Sequence, residues 1–303
     1  MGFESYLEVN AQKIDEKLEE ILSEFLSEVK KTNIKLLPFA LGLINSCKGG
    51  KRIRGVLVKL GYEIAGSHLG GVMASASLQP ATIRGEKSQS SEILKISAAY
   101  EILHTALLIH DDIMDQSPLR RGRPSLYKAL GTAQAISVGD IGLYLPIKII
   151  SASNFTSEIK IKALNFLAQT VINTGWGQCL DVAQAELTSK ESGPTFEVSQ
   201  FINLYKTAKY TIAGPLILGA ILAGMGPTSP RLRGIKEFGE NLGIAFQIQD
   251  DILDKEVVSV DVARTKALEY VSRAKGIIPK ITSDKRMVRL LQEMADYLVE
   301  RSK

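Results

Sequence analysis

Apolar residues recur every three or four positions along almost the whole chain, which is the spacing that buries one face of a helix. The stretches Ile14–Leu26 and Ile93–Leu103 show this period. Alternating strand patterns bounded by turn residues, and glycine-rich turns between a strand and a helix, are both hard to find. The pattern therefore predicts an all-α protein built as a bundle of roughly ten or more helices.

One segment interrupts the helical pattern. Residues Gly66–Ser91 are rich in Ser and Gly and poor in large apolar residues, which predicts a long surface loop between two helices. The helix after this loop is expected to run from about Ser91 to Asp115. No fixed-period repeat and no obvious linker divides the chain, so residues 1–303 are predicted to form a single domain.

Composition narrows the class of protein. With 303 residues, 45% of them hydrophobic, the chain can bury a large core, and its net charge of +4 argues against a nucleic-acid partner. Cys47 and Cys179 lie far apart outside any CxxC pattern, so we expect a reducing cytoplasm. The N-terminus lacks the order of a signal peptide. The longest uncharged run, Ile212–Gly226, is too short for a bilayer core of about 30 Å, so no stable membrane insertion is expected.

Two clusters of aspartates follow apolar helical runs. On the helix that ends near Asp115, the side chains of His104, Asp111 and Asp115 fall within about 40° of one another, and Asp112 sits a quarter-turn away. A lone acidic cluster at a helix end is more often a solvated face. The second cluster consists of Asp250, Asp251 and Asp254. Two such groups on separate amphipathic helices indicate a functional site.

Oxygen-only clusters without His or Cys ligands favour Mg²⁺, which shares its shell with phosphate oxygens. Arg120 and Arg121, just beyond the first cluster, could hold phosphate oxygens that the metal leaves uncovered. A second basic group, Lys51 and Arg54, follows a Gly-Gly pair, although without a preceding strand it is no P-loop. Two cationic and two acidic groups suggest two phosphorylated substrates.

Six motifs in order carry a resemblance to a known family. They are Gly49–Arg54, Asp111–Asp115 with Arg120–Gly122, Gly139–Asp140, Gly177–Gln178 with Asp181, Lys206–Thr207, and Phe246–Gln247 with Asp250–Asp254. Together they resemble the trans-isoprenyl diphosphate synthases of the polyprenyl synthetase family and are similar to geranylgeranyl diphosphate synthases. The resemblance implies the isoprenoid synthase fold, with helices around a central active-site cavity.

The resemblance also implies a role for each matching residue. The residues implied to bind Mg²⁺ are Asp111, Asp112, Asp115, Asp250, Asp251 and Asp254. The residues implied to bind isopentenyl diphosphate are Lys51, Arg54, His104 and Arg121. The residues implied to contact the allylic substrate are Arg120, Lys206, Thr207 and Gln247. Three Mg²⁺ ions per site are implied. Gln178 and Asp181 either orient Lys206 or metal-bound water, or form a polar pair in the core.

The implied activity is a Mg²⁺-dependent, head-to-tail trans-prenyl transfer from an allylic diphosphate to isopentenyl diphosphate. The residues expected to carry the catalysis are Asp111, Asp112, Asp115, Arg120, Lys206 and Asp250. Product length is expected to depend on Leu103, Ala106 and Leu107, upstream of the first cluster on the same helix. None of the three is aromatic, so the product is predicted to be geranylgeranyl diphosphate or longer.

One departure from the family keeps two alternatives open. The family usually has a Gly-Lys loop after the second aspartate cluster, whereas here Lys255–Asp261 leads into a helical stretch, with Lys255 or Lys266 as a partial substitute. The alternatives are a non-catalytic partner subunit of a heteromeric synthase and a class I terpene cyclase. Such partner subunits commonly lose their aspartates, and all six are present here. The resemblance implies a homodimer.

Overall fold

The computed structural model of the chain describes residues 1–67, 86–187, 198, 201–254 and 259–300. Within these residues it contains eleven α-helices, one π-helix, a 3₁₀-helix at Ile34–Leu36 and one two-stranded antiparallel hairpin. The prediction of an all-α protein with ten or more helices is therefore confirmed.

The elements follow one another along the chain with short connections. The α-helices are α1 (Phe3–Thr32), α2 (Leu37–Ser46), α3 (Ile53–Gly66), α4 (Glu86–Met114), α5 (Leu126–Leu130), α6 (Thr132–Ala152), α7 (Ser157–Leu187), α8 (Gly214–Leu222), α9 (Pro230–Asp254), α10 (Val260–Ile281) and α11 (Lys285–Glu300). The hairpin strands are β1 (Leu119–Arg120) and β2 (Arg123–Pro124), and the π-helix spans Asn203–Ala213.

The fold divides into two compact units. Unit N consists of Glu8–Val56 and Ile83–Asn154, and unit C consists of Met1–Leu7, Leu57–Thr82 and Phe155–Lys303. Each unit carries one aspartate cluster, the first in unit N and the second in unit C. That the whole chain acts as a single domain stays a prediction.

The core of unit N is the contact between α4 and α6, against which α2 and α5 also pack. Ala106 on α4 is fully buried. A Cβ atom added at Gly142 on α6 would lie 2.9 Å from the Cβ atom of Ala106. Glycine at position 142 therefore allows the two helices to approach more closely than a larger residue would permit.

The core of unit C is built around α9, which packs against α10 and the π-helix. Cβ atoms added at Gly239 and Gly243 would lie 2.5 and 2.6 Å from the Cα atoms of Ala213 and Ala208. The π-helix and α9 therefore touch through their backbones. All residues of α8 are buried, which explains why that segment is apolar on every face.

The helix after the predicted surface loop begins earlier than expected. Helix α4 starts at Glu86 rather than near Ser91, so the end of the predicted loop is wrong, and the rest of it lies outside the described residues. Once the apolar part of a helix is anchored, each added residue forms a backbone hydrogen bond without a new nucleation cost, so a polar turn can extend it. Helix α10 resumes the chain at Val260, while Lys255 lies outside the described residues.

Two helices of the described residues are long and apolar enough to span a membrane, judged by length and composition alone. Residues Ser90–Met114 are 67% buried in their most apolar window, as expected for a core helix, whereas Thr132–Ala152 are 33% buried. Soluble proteins commonly contain such core helices. The absence of stable membrane insertion stays a prediction.

Candidate active site

The end of α4 separates the three aspartates of the first cluster into different environments. Asp112 is buried, with 3% of its surface exposed, while Asp115 is exposed. The Nε atom of Arg120 donates to Oδ1 of Asp112 at 2.8 Å, and its Nη2 atom contacts the same oxygen. Burial raises the pKa of Asp112, the bond from Arg120 opposes that shift, and the neighbouring Asp111 adds to it. Asp112 therefore fixes the position of Arg120.

A tight turn brings the two arginines back towards this helix end. Arg121 and Gly122, between β1 and β2, have positive φ angles of 52° and 72°. The Nη1 atom of Arg121 donates to the carbonyl oxygens of Lys48 and Gly49 at 2.9 and 3.0 Å. The turn thus connects the arginine pair to the loop that precedes α3.

That loop depends on two buried charges that sequence reasoning did not identify. Arg52, with φ of 53° and 5% exposure, donates through Nε to Asp15 at 2.6 Å and through Nη2 to the carbonyl of Cys47 at 2.9 Å. Glu101 on α4 accepts a 2.7 Å hydrogen bond from the backbone N–H of Gly55. An isolated charge in an apolar stripe, such as Glu101, was the available signal.

The positively charged side chains of unit N surround His104. His104 is 8% exposed. Burial lowers its pKa well below the ordinary value, and the nearby guanidinium groups of Arg54, Arg121, Arg120 and Arg52 lower it further. His104 is therefore neutral at neutral pH and can donate one N–H. The structure brings His104, Arg54 and Arg121 into one electrostatic environment, whereas Lys51 is exposed on the loop.

The second aspartate cluster occupies the end of α9. The Nε2 atom of Gln247 donates to Oδ1 of Asp251 at 2.7 Å. Burial raises the pKa of Asp251, and the carboxylates of Asp250 and Asp254 raise it further, while the bond from Gln247 lowers it. The three carboxylates therefore repel one another at this helix end.

Lys206 and Thr207 lie in the π-helix, a rare conformation that is frequent at functional sites. The Nζ atom of Lys206 donates to Oδ2 of Asp181 on α7 at 2.5 Å. A Cβ atom added at Gly177 would lie 2.3 Å from the backbone nitrogen of Lys206, so α7 and the π-helix touch at this glycine. Of the two roles considered for Asp181, the structure shows the one in which it orients Lys206.

Within the described part of the chain, no three His, Cys, Asp or Glu side chains are already arranged to hold one metal ion. Two of the aspartates are engaged elsewhere, Asp112 by Arg120 and Asp251 by Gln247. The metal-binding roles and the shared trinuclear centre stay predictions.

The three residues expected to set product length differ in their surroundings. Leu103 and Ala106 are fully buried, whereas Leu107 is partly exposed. Ala106 lies against Gly142 of α6 rather than at the surface. A larger residue at position 106 would therefore push against α6.

Comparisons with known proteins place this geometry in context. Residues 42–264 match the sequence model described as polyprenyl synthetase. The chain is 26% identical over 300 residues to heterodimeric geranylgeranyl pyrophosphate synthase large subunit 2 of Arabidopsis thaliana, covering 94% of this chain and 71% of that protein. It is 31% identical over 231 residues to geranylgeranyl pyrophosphate synthase 9, chloroplastic, of the same plant, where the match covers 74% of this chain and 57% of the relative.

Solved structures resemble the chain along its whole length. The geranylgeranyl pyrophosphate synthase of Corynebacterium glutamicum, complexed with isoprenyl diphosphate and magnesium, superposes with a TM-score of 0.80 at 20% identity, covering 100% of both chains. The geranylgeranyl pyrophosphate synthetase of the archaeon Geoglobus acetivorans gives 0.77 at 24% identity, covering 97% of this chain and 99% of the other. These likenesses confirm the expected isoprenoid synthase fold.

Proposed function

Because this chain belongs to the polyprenyl synthetase family, we propose that it is a Mg²⁺-dependent trans-prenyltransferase that joins isopentenyl diphosphate head-to-tail to an allylic diphosphate. The observation that carries this proposal is the group of guanidinium side chains around neutral His104. Such a surrounding favours a polyanion, because each bound phosphate oxygen offsets positive charge that the protein holds in place.

The isopentenyl diphosphate position in this proposal is formed by Lys51, Arg54, His104 and Arg121. Arg121 already bonds two carbonyls of the loop that carries Lys51. The diphosphate would therefore meet a preorganised loop and not a set of independent side chains. A neutral His104 donates a hydrogen bond without adding to the repulsion among the arginines.

The allylic diphosphate position comprises Arg120, Lys206, Thr207 and Gln247. Arg120 is held by Asp112 and Lys206 by Asp181, so both cations have fixed directions. In the proposed reaction the allylic carbon–oxygen bond breaks, and the alkene of isopentenyl diphosphate supplies the electron pair of the new carbon–carbon bond. The resulting cation loses a proton, and diphosphate leaves with the electrons of the broken bond. Water must be excluded, since it would trap the cation.

The carboxylates fit the Mg²⁺ that the family resemblance implies. Both clusters offer oxygen donors, and the pKa of Asp251, raised by burial and by its acidic neighbours, shows a repulsion that a divalent cation would relieve. The residues proposed to hold three ions are Asp111, Asp112, Asp115, Asp250, Asp251 and Asp254. When bound, Mg²⁺ would offset the negative charge that develops on the leaving diphosphate.

We propose a product of geranylgeranyl length or longer, because no aromatic side chain occurs at Leu103, Ala106 or Leu107. A cytoplasmic location is proposed on the basis of the two free cysteines. A homodimer is proposed on the basis of α6, whose apolar side chains Ile136, Tyr144 and Ile147 are 43%, 68% and 40% exposed. Contiguous exposed apolar side chains of this kind mark protein interfaces.

A second candidate function is that of a subunit in a heteromeric synthase. It is favoured by the match to a protein named as the large subunit of a heterodimeric synthase. The retention of all six aspartates supports a catalytic role in either assembly.

The test is an elongation assay with the purified chain, Mg²⁺, labelled isopentenyl diphosphate and allylic primers of five, ten and fifteen carbons. Chromatography of the dephosphorylated products is expected to show twenty carbons or more. The Asp111→Asn variant serves as the inactive control. No elongation by the chain alone would support the subunit function, and a hydrocarbon formed without isopentenyl diphosphate would indicate a cyclase. Farnesyl diphosphate as the end product would contradict the proposed length.

A further inference from the structure

Unit N contains a cavity that the proposed substrate positions do not use. Its volume is about 780 Å³, and its walls come from α2, α4, the β1–β2 hairpin and α5. Arg120 and Arg121 line one side, whereas Lys51, Arg54 and His104 are not among its lining residues. The cavity therefore adjoins the proposed isopentenyl position across Arg121 and is separate from it.

The polar side of this cavity carries more positive than negative charge. Lys48, Arg120, Arg121 and Arg123 line it, and Asp112 is the one acidic residue among its lining residues. Asp112 is already paired with Arg120. Within the described part of the chain, no carboxylate forms an ion pair with the remaining three cations. The charge on this wall favours an anion.

The opposite side of the cavity is apolar. It is formed by Leu41 of α2, Ile109 of α4, and Leu126 and Leu130 of α5. Cβ atoms added at Gly42 would lie 2.9 Å from side-chain methyl carbons of both Leu126 and Leu130, so these leucines close the floor against α2. A ligand that fills this cavity must therefore carry an apolar part as well as a charge.

A buried hydroxyl group points to a ligand at this place. Ser125 lines the cavity and is 1% exposed. Its Oγ atom is buried and has no hydrogen-bond partner among the described residues. An unpartnered buried hydroxyl is unfavourable, and an anionic oxygen in the cavity would accept its hydrogen bond.

We propose that this cavity binds an amphiphilic phosphate, a soluble phosphate or diphosphate ester of an apolar chain. The head group accepts hydrogen bonds from Arg121, Arg123 and Ser125, and the chain lies against Leu126 and Leu130. Because Arg121 belongs to both places, occupancy competes with isopentenyl diphosphate and not with the allylic substrate. This kinetic consequence rests on the proposed function, whereas the binding itself does not.

The experiment uses dodecyl phosphate that carries a photoreactive diazirine at the end of its chain. Binding to the full chain is measured by calorimetry, and the labelled peptides are identified by mass spectrometry after irradiation. We expect labelling within residues 38–46 or 126–130. Arg123→Gln should weaken binding about tenfold, the effect of losing one charge-assisted hydrogen bond. Ser125→Ala should weaken it severalfold.

Lys128→Gln is the matched control, because Lys128 is an exposed cation on α5 that does not line the cavity. Equal affinities of the Arg123→Gln and Lys128→Gln variants, or labelling confined to unit C, would overturn the proposal. Binding to phosphatidate vesicles without binding of the soluble probe would also overturn it. Since calorimetry requires no turnover, failure of the elongation assay leaves this test intact.

Discussion

Arg52 provides the sharpest test of how the loop before α3 is held. Its guanidinium group is 5% exposed and bonds Asp15 and the carbonyl of Cys47, with an oxygen of Glu101 at 3.9 Å. Arg52→Met keeps the length of the side chain and removes these bonds. Lys51 is an adjacent exposed cation, so Lys51→Met removes the same charge without the same contacts.

The expected loss can be worked out contact by contact. The charge-assisted bond to the buried Cys47 carbonyl contributes about 1.5–3 kcal/mol. The pair with Asp15, which is 47% exposed, adds less than about 1 kcal/mol because solvent screens it. Allowing for the loss of the cation near Glu101, whose side chain is 5% exposed, the total is about 3 kcal/mol.

Thermal unfolding followed by circular dichroism measures this loss. A change of about 3 kcal/mol should lower Tm by roughly 6 °C in a protein of this size. Lys51→Met should shift Tm by no more than about 1 °C, and Arg52→Lys should recover part of the loss, because an ammonium group cannot reproduce the planar fork. Equal Tm values for Arg52→Met and the wild type, or equal losses in Arg52→Met and Lys51→Met, would refute the assigned role.

Three further predictions concern pH, assembly and the first cluster. The pKa of His104 is lower in the folded than in the unfolded state, so stability falls as pH drops below about 6.5; between pH 7.5 and 5.5, His104→Gln should lose about 1 kcal/mol less than the wild type, and equal losses would contradict this. Tyr144→Glu should convert the proposed dimer to a monomer by light scattering, whereas Tyr144→Phe should not; an unchanged mass for Tyr144→Glu would argue against α6. Asp112→Asn should lower both Tm and activity, while Asp115→Asn should lower activity and raise the Mg²⁺ requirement at unchanged Tm; equal Tm values would contradict the separate roles.

The helices were predictable because a repeat of three to four residues accumulates over long segments. Helix α4 is an example, since Ile93, Ile96, Ala99 and Leu103 mark its buried face. The exact start at Glu86 was not predictable, because a polar turn carries no such signal. The π-helix was also missed, since its apolar spacing over a few residues cannot be distinguished from that of an α-helix.

The site residues were predictable as chemical types and less so as individual roles. The helical angle already separated Asp112 from Asp111 and Asp115, and the structure supplies the reason by pairing Asp112 with Arg120. Arg52 stands between two predicted phosphate ligands and has a different task. Its direction follows from a positive φ angle and a partner 37 residues away, Asp15, neither of which a local pattern contains.

Arg121 links these observations. Its side chain bonds the carbonyls of Lys48 and Gly49, and burial together with the neighbouring arginines lowers its pKa. A guanidinium group held among like charges gains more from a bound anion than one exposed to solvent, because the anion offsets repulsion that already exists. Two spaces meet at this one group, the proposed isopentenyl position and the adjoining cavity. Whichever anion binds first therefore removes part of the attraction for the other, which is why competition is expected between them.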